Sequence, residues 1–90
     1  MEASQDVTII NKYGFHARPS TTFSQLARCF KSVIKVETNG LSGDGKSVMG
    51  LMSLGAPQGT VIRIIAQGED AIAAVKALSE HVTDRFGGIE

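Results

Sequence analysis

Apolar residues recur along the chain with two different periods, and the switches between them mark out its elements. Val7, Ile9 and Ile10 cluster after a polar start. They predict a strand over residues 7–10 and leave residues 1–5 as a loose tail. A loop through Gly14 follows, and then Phe23, Leu26, Ala27 and Phe30 recur at helical spacing, which predicts a helix over about 17–30. Val33 to Thr38 is β-branched and alternating, so a second strand is expected there. Asn39-Gly40 is a strong signal for a tight type I′ hairpin, with Leu41 to Asp44 as the returning strand.

The second half repeats the alternation between helix and strand. Ser47 precedes an apolar stretch, Val48 to Leu54, that predicts a short helix ended by Gly55, Pro57 and Gly59. Thr60 to Ala66 alternates cleanly, with Ile62, Ile64 and Ala66 on one side and Val61, Arg63 and Ile65 on the other. Gly68-Glu69-Asp70 opens the last helix, whose expected buried stripe is Ile72, Val75, Leu78, Val82 and Phe86, with Gly87-Gly88 as its stop. The order is β-α-β-β-α-β-α, an α+β class. Outer helices with one apolar stripe each need a sheet to cover. A four-stranded antiparallel sheet with three helices on one face is the simplest arrangement.

Composition narrows the functional classes. Ninety residues, 42% of them apolar, support one small domain over residues 1–90. Nine basic and nine acidic residues balance, so no basic stripe tracks a nucleic-acid backbone. One tyrosine and no tryptophan provide no stacking platform for bases. Cys29, the single cysteine, excludes an internal disulfide and is expected as a half-buried small hydrophobe. No signal core or membrane-length run is present, so a cytoplasmic protein without membrane insertion is expected. His81 reads as an ordinary surface residue. No histidine or cysteine pair has metal-ligand spacing, and no nucleophile–base pair is visible, so neither a metal, a cofactor nor a hydrolase is expected.

The chemistry concentrates in Tyr13-Gly14-Phe15-His16-Ala17-Arg18-Pro19-Ser20. The stretch places a histidine at the entry to the first helix, where unpaired N–H groups attract anions. The backbone N–H groups of Ala17 and Arg18 could cradle phosphoryl oxygens, and the Arg18 guanidinium matches phosphate geometry. Pro19 falls in the first turn, where its missing N–H costs nothing. Gly14 permits a sharp turn. On spacing alone, a histidine that merely caps the helix beside a solvated arginine is the alternative. Ser47 reads locally as the N-cap of the short helix. Within that helix Met49, Leu51, Met52 and Leu54 are too apolar to be wholly solvated. Met49 and Met52 are the candidates for adaptable docking residues, with core filling as the alternative.

The run Gly14 to Ser20 resembles the active-site signature of the HPr family, the histidine-containing phosphocarriers of the bacterial sugar phosphotransferase system. That signature is Gly-apolar-His-Ala/Thr-Arg-Pro-Ala/Ser. The run Gly45 to Gly55 resembles the family's regulatory-serine signature, and the two stand at the family's separation. The resemblance spans nearly the whole chain. It implies an open-faced β-sandwich and a stoichiometric carrier rather than an enzyme. His16 would take a phosphoryl group on Nδ1 from enzyme I charged by phosphoenolpyruvate and pass it to IIA domains of sugar permeases, with Arg18 positioning it. Ser47 would be the substrate of an HPr kinase/phosphorylase, and Val48, Met49, Leu51 and Met52 would form the docking surface. A monomer is expected. A nitrogen-related or purely regulatory module, binding a kinase or transcription factor, is the alternative. Tyr13 departs from the small polar residue that many relatives carry, and no role follows for it.

Overall fold

Strand β4 (Val61–Gln67) organises the molecule, because it joins the N-terminal edge strand to the central hairpin. It pairs antiparallel with β1 (Glu2–Thr8) along its whole length, from Glu2 opposite Gln67 to Thr8 opposite Val61. On its other edge it pairs antiparallel with β2 (Val33–Thr38), which continues through a hairpin into β3 (Leu41–Asp44). The sheet order is β1-β4-β2-β3 in this computed structural model, which describes residues 1–90. Asn39 and Gly40 both have positive φ, 49° and 78°, as a type I′ turn requires.

The alternation in β4 sends Ile62, Ile64 and Ala66 into the core, where each is fully buried. Ile34 and Val36 of β2 join them from the neighbouring strand. Helix α1 (Ala17–Ala27) adds Phe23 and Ala27, short α2 (Val48–Met52) adds Leu51, and α3 (Ala71–Thr83) adds Ala74, Leu78 and Val82. The helices cover one face. On the other face Lys35, Val33, Val61 and Arg63 meet solvent, which makes the sandwich open. Burying one fully enclosed Phe, Leu or Ile contributes about 1.5–3 kcal/mol, so this single cluster accounts for the fold's cohesion. No helix is long and apolar enough to cross a membrane.

Four expectations are corrected. Residues 2–5 are not a tail but the first half of β1. As a strand at the sheet edge, β1 has only Ala3 and Val7 half-buried, so its sequence is nearly all polar and its alternation is faint. Helix α1 stops at Ala27, and Cys29 lies beyond it, exposed. The buried stripe of α3 is Ala71, Ala74, Val75, Leu78 and Val82, while Ile72 is 63% exposed. Ile72 stands one residue, about 100° of helical rotation, away from that stripe. A fourth helical segment, α4 (Arg85–Gly88), follows the third helix. It is a left-handed turn, with φ of 54° at Arg85, 55° at Phe86 and 86° at Gly87. Phe86 therefore leaves the α3 stripe but is still buried, beside Phe15 at a ring-centroid separation of 5.2 Å. Side chains at positive φ are strained, and packing of Phe86 is what holds them there.

Asp70 locks the start of α3 to the turn before β2. Its carboxylate accepts the Ser32 hydroxyl and the backbone N–H groups of Lys31 and Ser32, the latter two at 2.8 and 3.0 Å. The Ser32 hydroxyl first, then the Lys31 N–H, hold its carboxyl below the ordinary value of 3.8. The Arg63 guanidinium lowers Asp6 in the same way. A lowered folded-state pKa stabilises above the unfolded value and is lost as pH falls through the folded one. Acid unfolding should therefore steepen below about pH 4. In Asp70→Asn the melting temperature should depend less on pH in that range, with the Asp6 contribution remaining. Equal acid limbs for the two proteins in pH-resolved thermal melts would contradict the Asp70 assignment.

Candidate functional site

The loop ahead of α1 is pinned on both sides of its histidine. Phe15 is buried against Phe23, edge to face at 5.5 Å between ring centroids, and its N–H donates to the Ala56 carbonyl at 3.2 Å. Pro19 and Ser20 are buried after it. Gly14 turns the chain between these anchors at φ +61°, and a Cβ there would overlap the Ala56 carbonyl oxygen. The chain can pass through this point only without a side chain.

His16 is the N-cap of α1, with extended φ and ψ of −86° and −169°, and its side chain makes no capping bond. The half-exposed imidazole turns the other way, and Nε2 lies 2.9 Å from the backbone oxygen of Glu90. That oxygen can only accept, so Nε2 carries the proton and Nδ1 keeps the lone pair in the neutral ring. Tyr13, 61% exposed, sets its ring at right angles to the imidazole with centroids 5.9 Å apart. Lys12 Nζ sits 5.3 Å from the Tyr13 ring centre. The tyrosine thus walls one side of His16.

The first free donors lie directly beyond. The Ser20 N–H is the first to be bonded in α1, to the His16 carbonyl at 3.0 Å. The N–H groups of Ala17 and Arg18 have no acceptor, and Pro19 has no N–H to satisfy. Arg18 is exposed and its guanidinium forms neither a hydrogen bond nor an ion pair with the protein. A shallow depression lined by Ala17, Arg18, Thr21, Thr22 and Ile89 lies alongside. A half-exposed imidazole nitrogen, two unpaired amides and a free guanidinium on one helix end form a surface for a tetrahedral oxyanion.

Ser47 is the N-cap of α2, its Oγ accepting the Gly50 N–H at 3.0 Å. The segment before it is tied to the end of α1. Arg28 Nε donates to the Lys46 carbonyl at 3.1 Å, and Lys46 Nζ donates to the Phe30 carbonyl at 2.8 Å. Along α2, which packs on α1, Met49 and Met52 are 73% and 41% exposed and Val48 is half-buried. Leu51, expected among the docking residues, is wholly buried. A five-residue helix has one inward side, and Leu51 occupies it.

His81 is also not the surface residue expected. It is half-buried, with Nε2 3.1 Å from Thr22 Oγ1 and its ring against Phe86 at 5.5 Å between centroids. Burial pushes its pKa below the ordinary histidine value, partly offset by the nearby Asp84 carboxylate. Asn11, buried with its amide 2.9 Å from the Gly14 carbonyl, and Glu90 are further members of the site that sequence reading missed. No periodicity or spacing marks either one, because Glu90 meets Asn11 and His16 only across 79 and 74 residues of sequence.

Three comparisons bear on this arrangement. Residues 3–84 match the family model described as the phosphotransferase-system HPr component phosphorylation site. The "Phosphocarrier protein HPr" of Neisseria meningitidis serogroup A is 46% identical over 83 residues, covering 92% of this chain and 93% of the relative. The protein of that name from Cupriavidus necator is 43% identical over the same shares of both chains. The crystal structure of HPr from Thermoanaerobacter tengcongensis superposes with a TM-score of 0.92 at 41% identity, covering 98% of this chain and 99% of that one. A dimer of HPr from the same organism is also similar, with a TM-score of 0.75 at 44% identity over 92% of this chain and 98% of that one.

Gly14→Ala should destabilise the protein by about 2–4 kcal/mol, from left-handed strain and displacement of the Ala56 carbonyl. Chemical denaturation measures this, and a change within about 0.5 kcal/mol would show that the loop has room to relax.

Proposed function

This chain belongs to the HPr family of the phosphotransferase system, and from that premise we propose that it is a stoichiometric phosphoryl carrier acting through His16. The observation that carries the reading is the His16 ring: Nε2 is engaged by the Glu90 oxygen, and Nδ1 is left as the nucleophile beside unpaired helix-end donors. The Nδ1 lone pair forms a bond to phosphorus as the bond from phosphorus to its donor breaks. The ring keeps its Nε2 proton, and the Glu90 oxygen meets the positive charge that develops on the imidazole. The Ala17 and Arg18 amides hold the transferred oxygens, and the exposed Arg18 side chain closes over them. Return of the group to an acceptor is the same displacement in reverse. The donor is enzyme I, charged by phosphoenolpyruvate, and the acceptors are IIA domains of sugar permeases. The chain acts as a monomer, because one face must meet two partners in turn.

Met49 and Met52 supply the adaptable part of that face, flanked by the half-buried Val48. Leu51 supports them from beneath. Ser47 is the point of control by an HPr kinase/phosphorylase. A phosphate there adds about two negative charges beside the methionines, opposing an apolar partner surface by desolvation and repulsion. The regulatory-module alternative is favoured by no particular feature, and a reactive His16 with a free Arg18 argues against it.

Enzyme I and labelled phosphoenolpyruvate should place acid-labile label on the wild type and none on His16→Ala. Label on the variant would move the acceptor elsewhere. The Ser47 reading separates charge from capping. Ser47→Ala should lose about 1 kcal/mol of stability through the missing cap and still accept phosphate normally. Ser47→Asp keeps a capping side chain, so it should remain stable while its rate of acceptance from enzyme I falls. Equal acceptance rates for the two variants would contradict control by charge.

A further inference from the structure

Asn11 is fully buried, two residues after the buried Ile9. Its amide nitrogen donates to two backbone oxygens, that of Gly14 at 2.9 Å and that of Glu90 at 3.3 Å. The Glu90 oxygen is the one that accepts His16 Nε2–H at 2.9 Å. The Gly14 oxygen also takes the His16 backbone N–H at 3.0 Å. Both partners of the amide are acceptors, so its orientation follows from their chemistry. Its own Oδ1 is buried with no partner at all.

That orphaned oxygen makes asparagine a poor choice for packing alone. A leucine has similar shape and leaves no unpaired polar atom in the core. What the asparagine adds is two donors, and each goes to an oxygen that also holds His16. Without Asn11, the only hydrogen-bond donor to the Glu90 oxygen would be the imidazole it has to orient. The preceding Ile89 is buried, and the left-handed turn from Arg85 returns the chain to the loop, so the oxygen is delivered from a segment 79 residues away in sequence from Asn11.

We propose that Asn11 is a positioning residue for phosphoryl transfer: through the Glu90 oxygen it keeps the proton on His16 Nε2 and presents Nδ1 as the accepting atom. The transfer role rests on the carrier reading above, whereas the hold on the ring does not. Local conflicts of this kind, a buried polar atom tolerated without a partner, are expected where a site needs a fixed group.

The test compares wild type with Asn11→Leu, using the full chain. Ring ¹⁵N shifts of unphosphorylated His16, recorded above its titration, report the tautomer and the Nε2 hydrogen bond. In folded Asn11→Leu the Nε2–H signal should lose its hydrogen-bonded shift and the two tautomers should mix. Acceptance from enzyme I should slow by about fivefold, the factor expected when one oriented hydrogen bond is lost. Thermal stability should be unchanged or higher. A wild-type ring pattern in the folded variant, or an unchanged transfer rate, would overturn the proposal. Should the leucine variant fail to fold, Asn11→Ser decides the matter. Its hydroxyl is too short to reach both oxygens, so the same loss is expected, and an intact ring pattern overturns the proposal equally. Failure of the carrier reading looks different. Wild type would then take no label from enzyme I, while the ring pattern would still depend on Asn11.

Discussion

The helix end beside the half-exposed His16 imidazole keeps its first donors unpaired, and the rest of the molecule fixes the chain that presents them. The donors of Ala17 and Arg18 remain free because the chain entering α1 is fixed in place before it reaches them. Gly14 turns it, Phe15 roots it in the core, and buried Pro19 and Ser20 hold the other side. With both flanks fixed, the N–H groups cannot collapse onto a neighbouring carbonyl. The pre-organisation that the proposed phosphoryl transfer requires is therefore supplied by apolar burial, at a distance from the charge it would serve.

The second half of the site arrives from the far end of the described chain. Packing of Phe86 against Phe15 and His81 holds a left-handed turn that neither Arg85 nor Phe86 would adopt on its own. That turn brings the Glu90 oxygen back to His16. His81 belongs to the same structure: its ring supports Phe86, and its Nε2 reaches Thr22 on the helix that carries the reactive end. The helix through Phe23, the loop through Phe15 next to its histidine, and the returning segment through Phe86 thus share one aromatic cluster, so the geometry of the imidazole depends on core packing as well as on its own hydrogen bonds.

The strength of the sequence signal followed the strength of the local physics. Alternation in Val61 to Gln67, the Asn39-Gly40 turn and the Ser47 cap are each governed by neighbours within a few residues, and each was legible. Strand β1 was half missed because an edge strand with polar residues on both sides carries little alternation. Ile72 was misassigned to the core because an apolar residue at the start of a helix reads as buried until the phase of Ala71, Ala74 and Leu78 is known. Small alanines, which set that phase, weigh little in a hydrophobic pattern. The site divided in the same way. His16, Arg18 and Ser47 lie in contiguous motifs. Asn11, Glu90 and His81 join it through contacts between residues far apart in sequence, which no spacing rule detects.

The central claim is that fold geometry, by occupying Nε2, selects Nδ1 of His16 as the atom that bonds phosphorus. Correlation of ³¹P with the ¹⁵N-labelled ring in the phosphorylated protein identifies that atom directly. The account predicts phosphorus coupled to Nδ1, with the Nε2 proton still present. Phosphorus on Nε2 would mean that the Glu90 contact gives way during transfer and does not determine the accepting nitrogen.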